Sequence, residues 1–297
     1  MSLSDLLKKR FAVVPGVYNA FTALQAENAN FEAVYLSGGA LTSSMGIPDI
    51  GLITLDELSS TVSQIRNVTD IRIIVDADTG FGGPMSVWKT VRVLERAGAD
   101  AVQLEDQRAP KRCGHLDGKE LITTAEMNEK IKAALSARRD AFIIARTDAR
   151  AVEGMDGAVG RARSYAENGA DIIFPEALIS ASEFTEFADA VRSPLLANMT
   201  EFGKTPLIAA TFFRKAGYRF VIFPVTAFRA AARAVESVFS TLREAGTQAG
   251  MMDRMMTRKE QYAILHYGDY EMMDASFALK RDEAPVKKGR RNVKVKK

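Results

Sequence analysis

The chain has 297 residues, 47% of them apolar, 26% charged and 8% aromatic, which supplies a large folded core and excludes a disordered protein. A single cysteine, Cys113, excludes internal disulfides and thiolate-only metal sites, and no apolar run approaches the roughly 18 residues of a membrane span, so a cytoplasmic protein with no membrane association is expected. The net charge of +3 arises in the tail, because residues 280–297 hold nine Lys or Arg against Asp282 and Glu283, and the remaining chain is mildly acidic.

Eight short apolar runs read as strands: Phe11 to Val17, Phe31 to Leu36, Ile71 to Val75, Ala99 to Leu104, Ala141 to Ala145, Ala170 to Phe174, Pro194 to Ala197 and Arg219 to Phe223. Between them lie helical patterns with hydroxyl-to-Glu start signals at Thr54 and Glu57, Thr123 and Glu126, and Ser180 and Glu183, each predicting reciprocal capping. Gly98, Gly169 and Gly217 each precede a strand, where a left-handed helix end suits glycine. The spacing of about 30 residues per strand-plus-helix unit predicts one α/β domain, a (β/α)8 TIM-type barrel over residues 1–279, followed by a basic tail at 280–297. An open doubly wound sheet is the alternative. Thr226 to Leu242 and Thr257 to His266 are helices beyond what the barrel needs, so one is expected to pack on a neighbouring subunit.

A barrel places its chemistry at the C-terminal ends of its strands, and polar residues collect there. The ends read Ser37-Gly38-Gly39, Asp76-Ala77-Asp78, Glu105-Asp106, Arg146-Thr147-Asp148, Glu176 and Asn198-Met199-Thr200, with Arg229 after the eighth strand. Asp76 and Asp78, about 6.6 Å apart on one side of a strand, suit a hard divalent cation such as Mg2+, or Mn2+, with Asp49 and Glu105 as outer acceptors. The competing reading pairs one aspartate with a base and uses the other as a turn cap. In Pro110-Lys111-Arg112-Cys113-Gly114-His115 the basic flanks favour a reactive thiol over a buried, inert one. Such a thiol donates or removes a proton at carbon, and its loop serves as a lid. Arg146, Arg229 and Arg258 are candidate carboxylate binders, although any one of them alone reads first as a surface ion pair. Gly80-Phe81-Gly82-Gly83 reads as a flexible turn, and Trp88 and His266 as packing residues.

Tyr35-Leu36-Ser37-Gly38-Gly39, Pro48-Asp49, the Asp76 to Gly82 run, Glu105-Asp106-Gln107 and Lys111-Arg112-Cys113-Gly114-His115 together resemble the isocitrate lyase and phosphoenolpyruvate mutase superfamily, and within it the methylisocitrate-cleaving branch. The resemblance runs from about Tyr18 to Tyr270. It implies Mg2+ on Asp76 and Asp78, and substrate bound by Ser37, Gly38, Gly39, Cys113, Gly114, Arg146, Glu176, Asn198, Thr200, Arg229 and Arg258. Phe174 and Ile222 would accommodate a methyl group. Catalysis would rest on Cys113, Tyr35, His115, Lys111 and Arg146, with Tyr35 as candidate base and Cys113 as the acid that completes succinate. The implied substrate is a small di- or tricarboxylate, and the implied assembly is a homotetramer of helix-swapped barrels with no nucleic-acid partner. Isocitrate, a dimethylmalate and carboxyphosphonoenolpyruvate are the rival substrates, and a non-catalytic metabolite- or nucleic-acid-binding protein is the distant alternative.

Overall fold

The computed structural model describes Asp5, residues 11–116 and residues 118–282. The basic tail from residue 283 onward lies outside the described residues. The chain falls into two compact units, Met1–Gln248 and Ala249–Lys297.

In the first unit, strands and helices alternate as β1 (Ala12–Val17), α1 (Ala20–Asn28), β2 (Ala33–Leu36), α2 (Gly38–Ser44), α3 (Leu55–Arg66), β3 (Arg72–Asp76), α4 (Pro84–Ala97) and β4 (Ala101–Glu105). They continue as α5 (Thr124–Ala137), β5 (Phe142–Thr147), α6 (Arg150–Glu167), β6 (Ile172–Pro175), α7 (Ala181–Ala190), β7 (Leu196–Asn198), α8 (Ala210–Lys215), β8 (Phe220–Phe223) and α9 (Thr226–Ala245). All strand pairs are parallel, in the order β6-β5-β4-β3-β2-β1-β8-β7, and the ring closes through a parallel bridge between Ile173 and Leu195. The predicted barrel is therefore observed. Each strand sits within two residues of its expected position.

Two-residue periodicity divides the strands between two cores. Val34, Leu36, Ile73, Val75, Val102, Leu104, Ile143 and Ala145 point outward and pack with helix residues such as Leu58, Val62, Val91, Leu94 and Ile131. Their neighbours Val14, Tyr35, Ile74, Ile144, Ile172, Phe174, Leu196, Phe220 and Ile222 fill the barrel interior. Each full burial of such a side chain stabilises the fold by about 1.5–3 kcal/mol before entropy is counted. The same alternation leaves Asp76, Glu105, Arg146 and Asn198 as the next inward residues at the C-terminal rim.

Helix boundaries follow their caps. Thr54 with Glu57 and Thr123 with Glu126 form the expected reciprocal boxes. Ser180 accepts from Glu183 N–H, but the Glu183 carboxylate turns instead to Arg150 and to Ile179 N–H, so that box is one-sided. Gly98 ends α4 at a φ of 113°, the left-handed geometry expected of it. The Gly80 turn is held rather than loose, since Lys130 Nζ donates to Thr79 O at 2.8 Å and Thr90 Oγ1 to Gly80 O at 3.2 Å.

The second unit contains a 3-10 turn (Ala249–Arg254), α10 (Arg258–Ile264) and α11 (Tyr267–Asp282). Thr257 and Glu260 box the start of α10, a signal of the same kind as at Thr54. His266 is not a packing residue: its side chain is exposed between the two helices. No described helix is long and apolar enough to cross a membrane.

Candidate active site

The C-terminal rim encloses a cavity of about 70 Å³. Its walls include Tyr35, Ser37, Gly39, Asp49 and Asp76 on one side, Lys111, Cys113, Gly114 and His115 from the loop after β4, and Arg146, Phe174, Glu176, Asn198, Thr200 and Ile222 opposite. Larger depressions exist, one of about 660 Å³ at the N-terminal ends of β3 to β5 and one of about 830 Å³ beside α9. Size does not decide between them, because only the rim cavity joins carboxylates, a thiol and cations.

The acidic wall begins where β3 ends. Asp76 Oδ2 accepts from Gly38 N–H at 3.3 Å, at the first turn of α2, where Ser37 caps the helix by accepting from Ala40 N–H at 3.2 Å. Asp76 Oδ1 accepts from Gln103 Nε2 at 3.1 Å, and the Gln103 carbonyl in turn accepts from the Tyr35 hydroxyl. Lys111 Nζ lies 2.9 Å from Asp78 Oδ1 and also pairs with Asp49. Its approach to Asp78 leaves that oxygen without a well-angled hydrogen bond, and Glu105 Oε1 is likewise buried without one. Burial is the largest influence on Asp78; with Asp76 nearby it outweighs Lys111 and pushes the carboxyl up to about 6. Burial also holds Glu105 well above the usual carboxylate range, against Arg146 and Lys111.

These features fit a divalent cation. Asp76 and Asp78 offer hard oxygen donors at the acidic wall, where Asp78 Oδ1 and Glu105 Oε1 are buried without well-angled hydrogen bonds. Among the described residues no group of three His, Cys, Asp or Glu side chains forms a cage. A hard ion held by two carboxylates and completed by water and substrate oxygens is consistent with that.

The opposite wall is basic and precisely satisfied by acids. Arg146 donates to Asp148 Oδ2 through Nε at 2.9 Å and to Oδ1 through Nη2 at 3.2 Å, and it lies 3.3 Å from Glu105 Oε2 and from Glu176 Oε2. Burial would raise the Glu176 carboxyl, but Arg146 and His115 prevail and hold it well below its ordinary range. His115 Nδ1 accepts from Lys204 N–H at 3.1 Å, which assigns the ring proton to Nε2, 3.0 Å from Glu176 Oε1. Asn198 Nδ2 donates to both Glu176 oxygens at 3.2–3.3 Å, leaving its buried Oδ1 without a partner. Phe174 and Ile222 supply the apolar part of the wall, with the Arg146 guanidinium 5.2 Å above the Phe174 ring.

Most sequence-predicted residues therefore meet. Three expectations change. Tyr35 is a poor base in this arrangement, because burial and Asp76 push its hydroxyl well above the ordinary phenol range and it donates to Gln103. The basic flanks of Cys113 do not simply surround the thiol, since Lys111 and His115 are directed at carboxylates. Arg229 is outside the cavity, paired with Glu201 at 2.9 Å and stacked over Phe202. Arg258 opens α10 in the second unit. Sequence reasoning passed over Gln103, which β4 alternation places two residues before Glu105 on the same inward face, and Lys119, whose pairing with Asp148 depends on a loop folding back.

A sequence model of the phosphoenolpyruvate phosphomutase family matches residues 3–243. A 2-methylisocitrate lyase of Aeropyrum pernix is 57% identical over 282 residues, covering 95% of this chain and 92% of that protein. A crystal structure of 2,3-dimethylmalate lyase, a member of the PEP mutase/isocitrate lyase superfamily, superposes with a TM-score of 0.87 at 34% identity, covering 96% of this chain and 97% of that one. Phosphonopyruvate hydrolase in complex with oxalate and Mg2+ superposes with a TM-score of 0.82 at 29% identity, covering 92% and 98%.

Proposed function

The chain belongs to the phosphoenolpyruvate phosphomutase family, and we propose that it is a carbon–carbon lyase that cleaves 2-methylisocitrate to pyruvate and succinate. The observation that carries this reading is the meeting of the Asp76 and Cys113 side chains across one cavity whose remaining walls are an arginine, polar donors and the apolar pair Phe174 and Ile222.

Asp76 and Asp78 would hold Mg2+ or Mn2+, with Asp49 and Glu105 behind them, and the ion supplies a Lewis acid that acidifies a bound hydroxyl and offsets carboxylate charge. Arg146 binds a substrate carboxylate with its guanidinium already oriented by Asp148. The Ser37 hydroxyl and the Gly39 amide, at the start of α2, provide donors for a second carboxylate, while the Gly38 amide is given to Asp76. The C2 hydroxyl gives its proton to a carboxylate of the acidic wall, its oxygen forms the pyruvate carbonyl as the C2–C3 bond breaks, and the electron pair of that bond remains on the succinate fragment as an aci-carboxylate. Arg146 and the His115 Nε2–H stabilise that charge, and the Cys113 thiol delivers the proton to C3. The Tyr35 hydroxyl stays protonated, donates to the Gln103 carbonyl and so orients the Gln103 amide that donates to Asp76. Phe174 and Ile222 receive the 2-methyl group, which favours methylisocitrate over isocitrate. Thr200 and Asn198 complete the polar rim, and the buried Asn198 Oδ1 has room for a substrate donor.

The cavity is narrow, about 70 Å³, and the half-buried Cys113 lies on its wall, so the Cys113 loop rests over the rim and lifts to admit a tricarboxylate. The assembly we propose is a homo-oligomer, with four copies as the family resemblance implies. α9 supports it: over twenty residues none is buried, and Val235, Phe239 and Leu242 stand exposed, an apolar stripe suited to a second copy of this chain. Within a cell the free thiol of Cys113 suits the cytoplasm.

The test is purified protein with Mg2+ assayed side by side on 2-methylisocitrate and isocitrate, following pyruvate and glyoxylate. Pyruvate formation with kcat/KM at least about tenfold above that for isocitrate supports the reading. Glyoxylate as the faster product, or no 2-oxo acid at all, overturns it.

A further inference from the structure

The loop of residues 106–122 is gathered at its neck by backbone. Ile122 N–H donates to Asp106 O at 2.9 Å, and Arg108 N–H donates to Glu120 O at 2.7 Å. Beyond the neck, three side chains among the described residues, Lys111, His115 and Lys119, reach from the loop to carboxylates of the barrel. Two of them end inside the cavity, Lys111 on Asp49 and Asp78, and His115 on Glu176. Those two are exposed to competition, since a cation claims Asp78 and a substrate carboxylate claims the donors facing Glu176. The third is different. Lys119 has a side chain 1% exposed, with Nζ 2.7 Å from Asp148 Oδ1 and donating also to Gly114 O. Neither Lys119 nor Asp148 lines the cavity.

Asp148 is itself fixed. Its N–H donates to Asp106 Oδ1 at 2.9 Å, while Asp106 Oδ2 accepts from the Thr147 and Tyr165 hydroxyls, both at 2.8 Å. The other partner of the Asp148 carboxylate is Arg146, held through two nitrogens. One immobile carboxylate thus orients the guanidinium that binds substrate and, through Lys119, the carbonyl adjoining Cys113.

We propose that Lys119 is a positioning residue that fastens the Gly114 peptide to Asp148 and so sets the Cys113 thiol relative to the Arg146 guanidinium. The tie survives when cation and substrate occupy the cavity, because nothing they bring reaches it. Lys119 touches no reacting atom. The catalytic consequence rests on the lyase reading above, whereas the fastening of the loop does not.

Cys113 is the single cysteine, so its alkylation reports loop position without ambiguity. Cys113 is half-buried and lines the narrow rim cavity, so N-ethylmaleimide reacts with it slowly while the loop is docked and faster when the loop lifts. Lys119→Met keeps the apolar stem and removes the charge, and Lys119→Arg keeps the charge. Loss of a charge-assisted tie predicts labelling of Cys113 about tenfold faster or more in the Met variant, with the Arg variant returned towards the unmodified rate. With Mg2+ and 2-methylisocitrate, kcat falls at least about tenfold while KM moves less than about threefold. Should Lys119→Met fail to fold, Lys119→Gln carries the same labelling comparison. An unchanged labelling rate in a folded variant overturns the proposal, as does a lowered melting temperature with no change in labelling. Labelling needs no substrate: faster labelling alongside an inactive parent protein indicts the lyase reading alone, and unchanged labelling alongside an active parent indicts the fastening alone.

Discussion

Replacing Gly114 by alanine tests the closed loop at its tightest point. A Cβ there would lie 2.6 Å from Glu176 Cγ and 2.8 Å from Glu176 Cδ, and nearer still to Arg146 Nη2. Real Cβ atoms do not approach that closely, and neither neighbour yields easily, since Arg146 is held by Asp148 and Glu176 by Asn198. Overpacking of this kind costs about 1–3 kcal/mol, and displacing the Arg146–Glu176 pair adds to it, so the closed loop is destabilised by about 2–4 kcal/mol. The barrel does not need that contact, and the variant relieves the clash by opening. The expected result is a kcat/KM for 2-methylisocitrate reduced about 30- to 1,000-fold, with the melting temperature shifted by no more than about 2 °C. Steady-state kinetics and a thermal melt read both quantities. A loss below about threefold would refute the closed geometry as the reactive one.

Cys113→Ser is expected to lower kcat about 10²- to 10⁴-fold with little change in KM, because the weaker acid remains in place; full turnover in a spectrophotometric assay removes Cys113 from the proton-delivery role. Asp78 makes cation binding pH-dependent. With its carboxyl raised from 3.8 to about 6, protonation stabilises the cation-free fold fully below pH 3.8, and this contribution is lost as pH rises through about 6. A bound cation opposes that loss, so the melting-temperature gain from Mg2+ is expected to be large near pH 7.5 and small near pH 5, and a gain independent of pH would contradict Asp78 as a ligand. Ile222→Ala is expected to narrow the preference for methylisocitrate over isocitrate by about tenfold, measured as a ratio of kcat/KM values; an unchanged ratio places the methyl elsewhere.

The barrel was legible because its signals are local. β-rich runs, glycine helix ends and the Thr54 and Thr123 boxes are all written within a few residues, and the inward sets of β3 and β4 follow from alternation alone. Asp76 and the loop thiol were legible through the rule that chemistry gathers at strand C-termini. The residues that were misjudged or missed depend on distant partners. Arg229 follows β8 as expected of a site residue, yet Glu201 and Phe202 draw it out of the cavity. Tyr35 sits at the centre of the site, but its protonation is decided by burial and by Asp76, neither of which spacing reveals. Lys119 looks like any loop lysine until the chain folds back and buries it against Asp148.

A crystal structure of the protein grown with Mg2+, pyruvate and succinate tests the central claim most directly. The account predicts a cation on the Asp76 and Asp78 carboxylates, pyruvate beside it, and the Cys113 sulfur within contact of a succinate methylene. A cation bound elsewhere, or products seated away from Cys113, contradicts it.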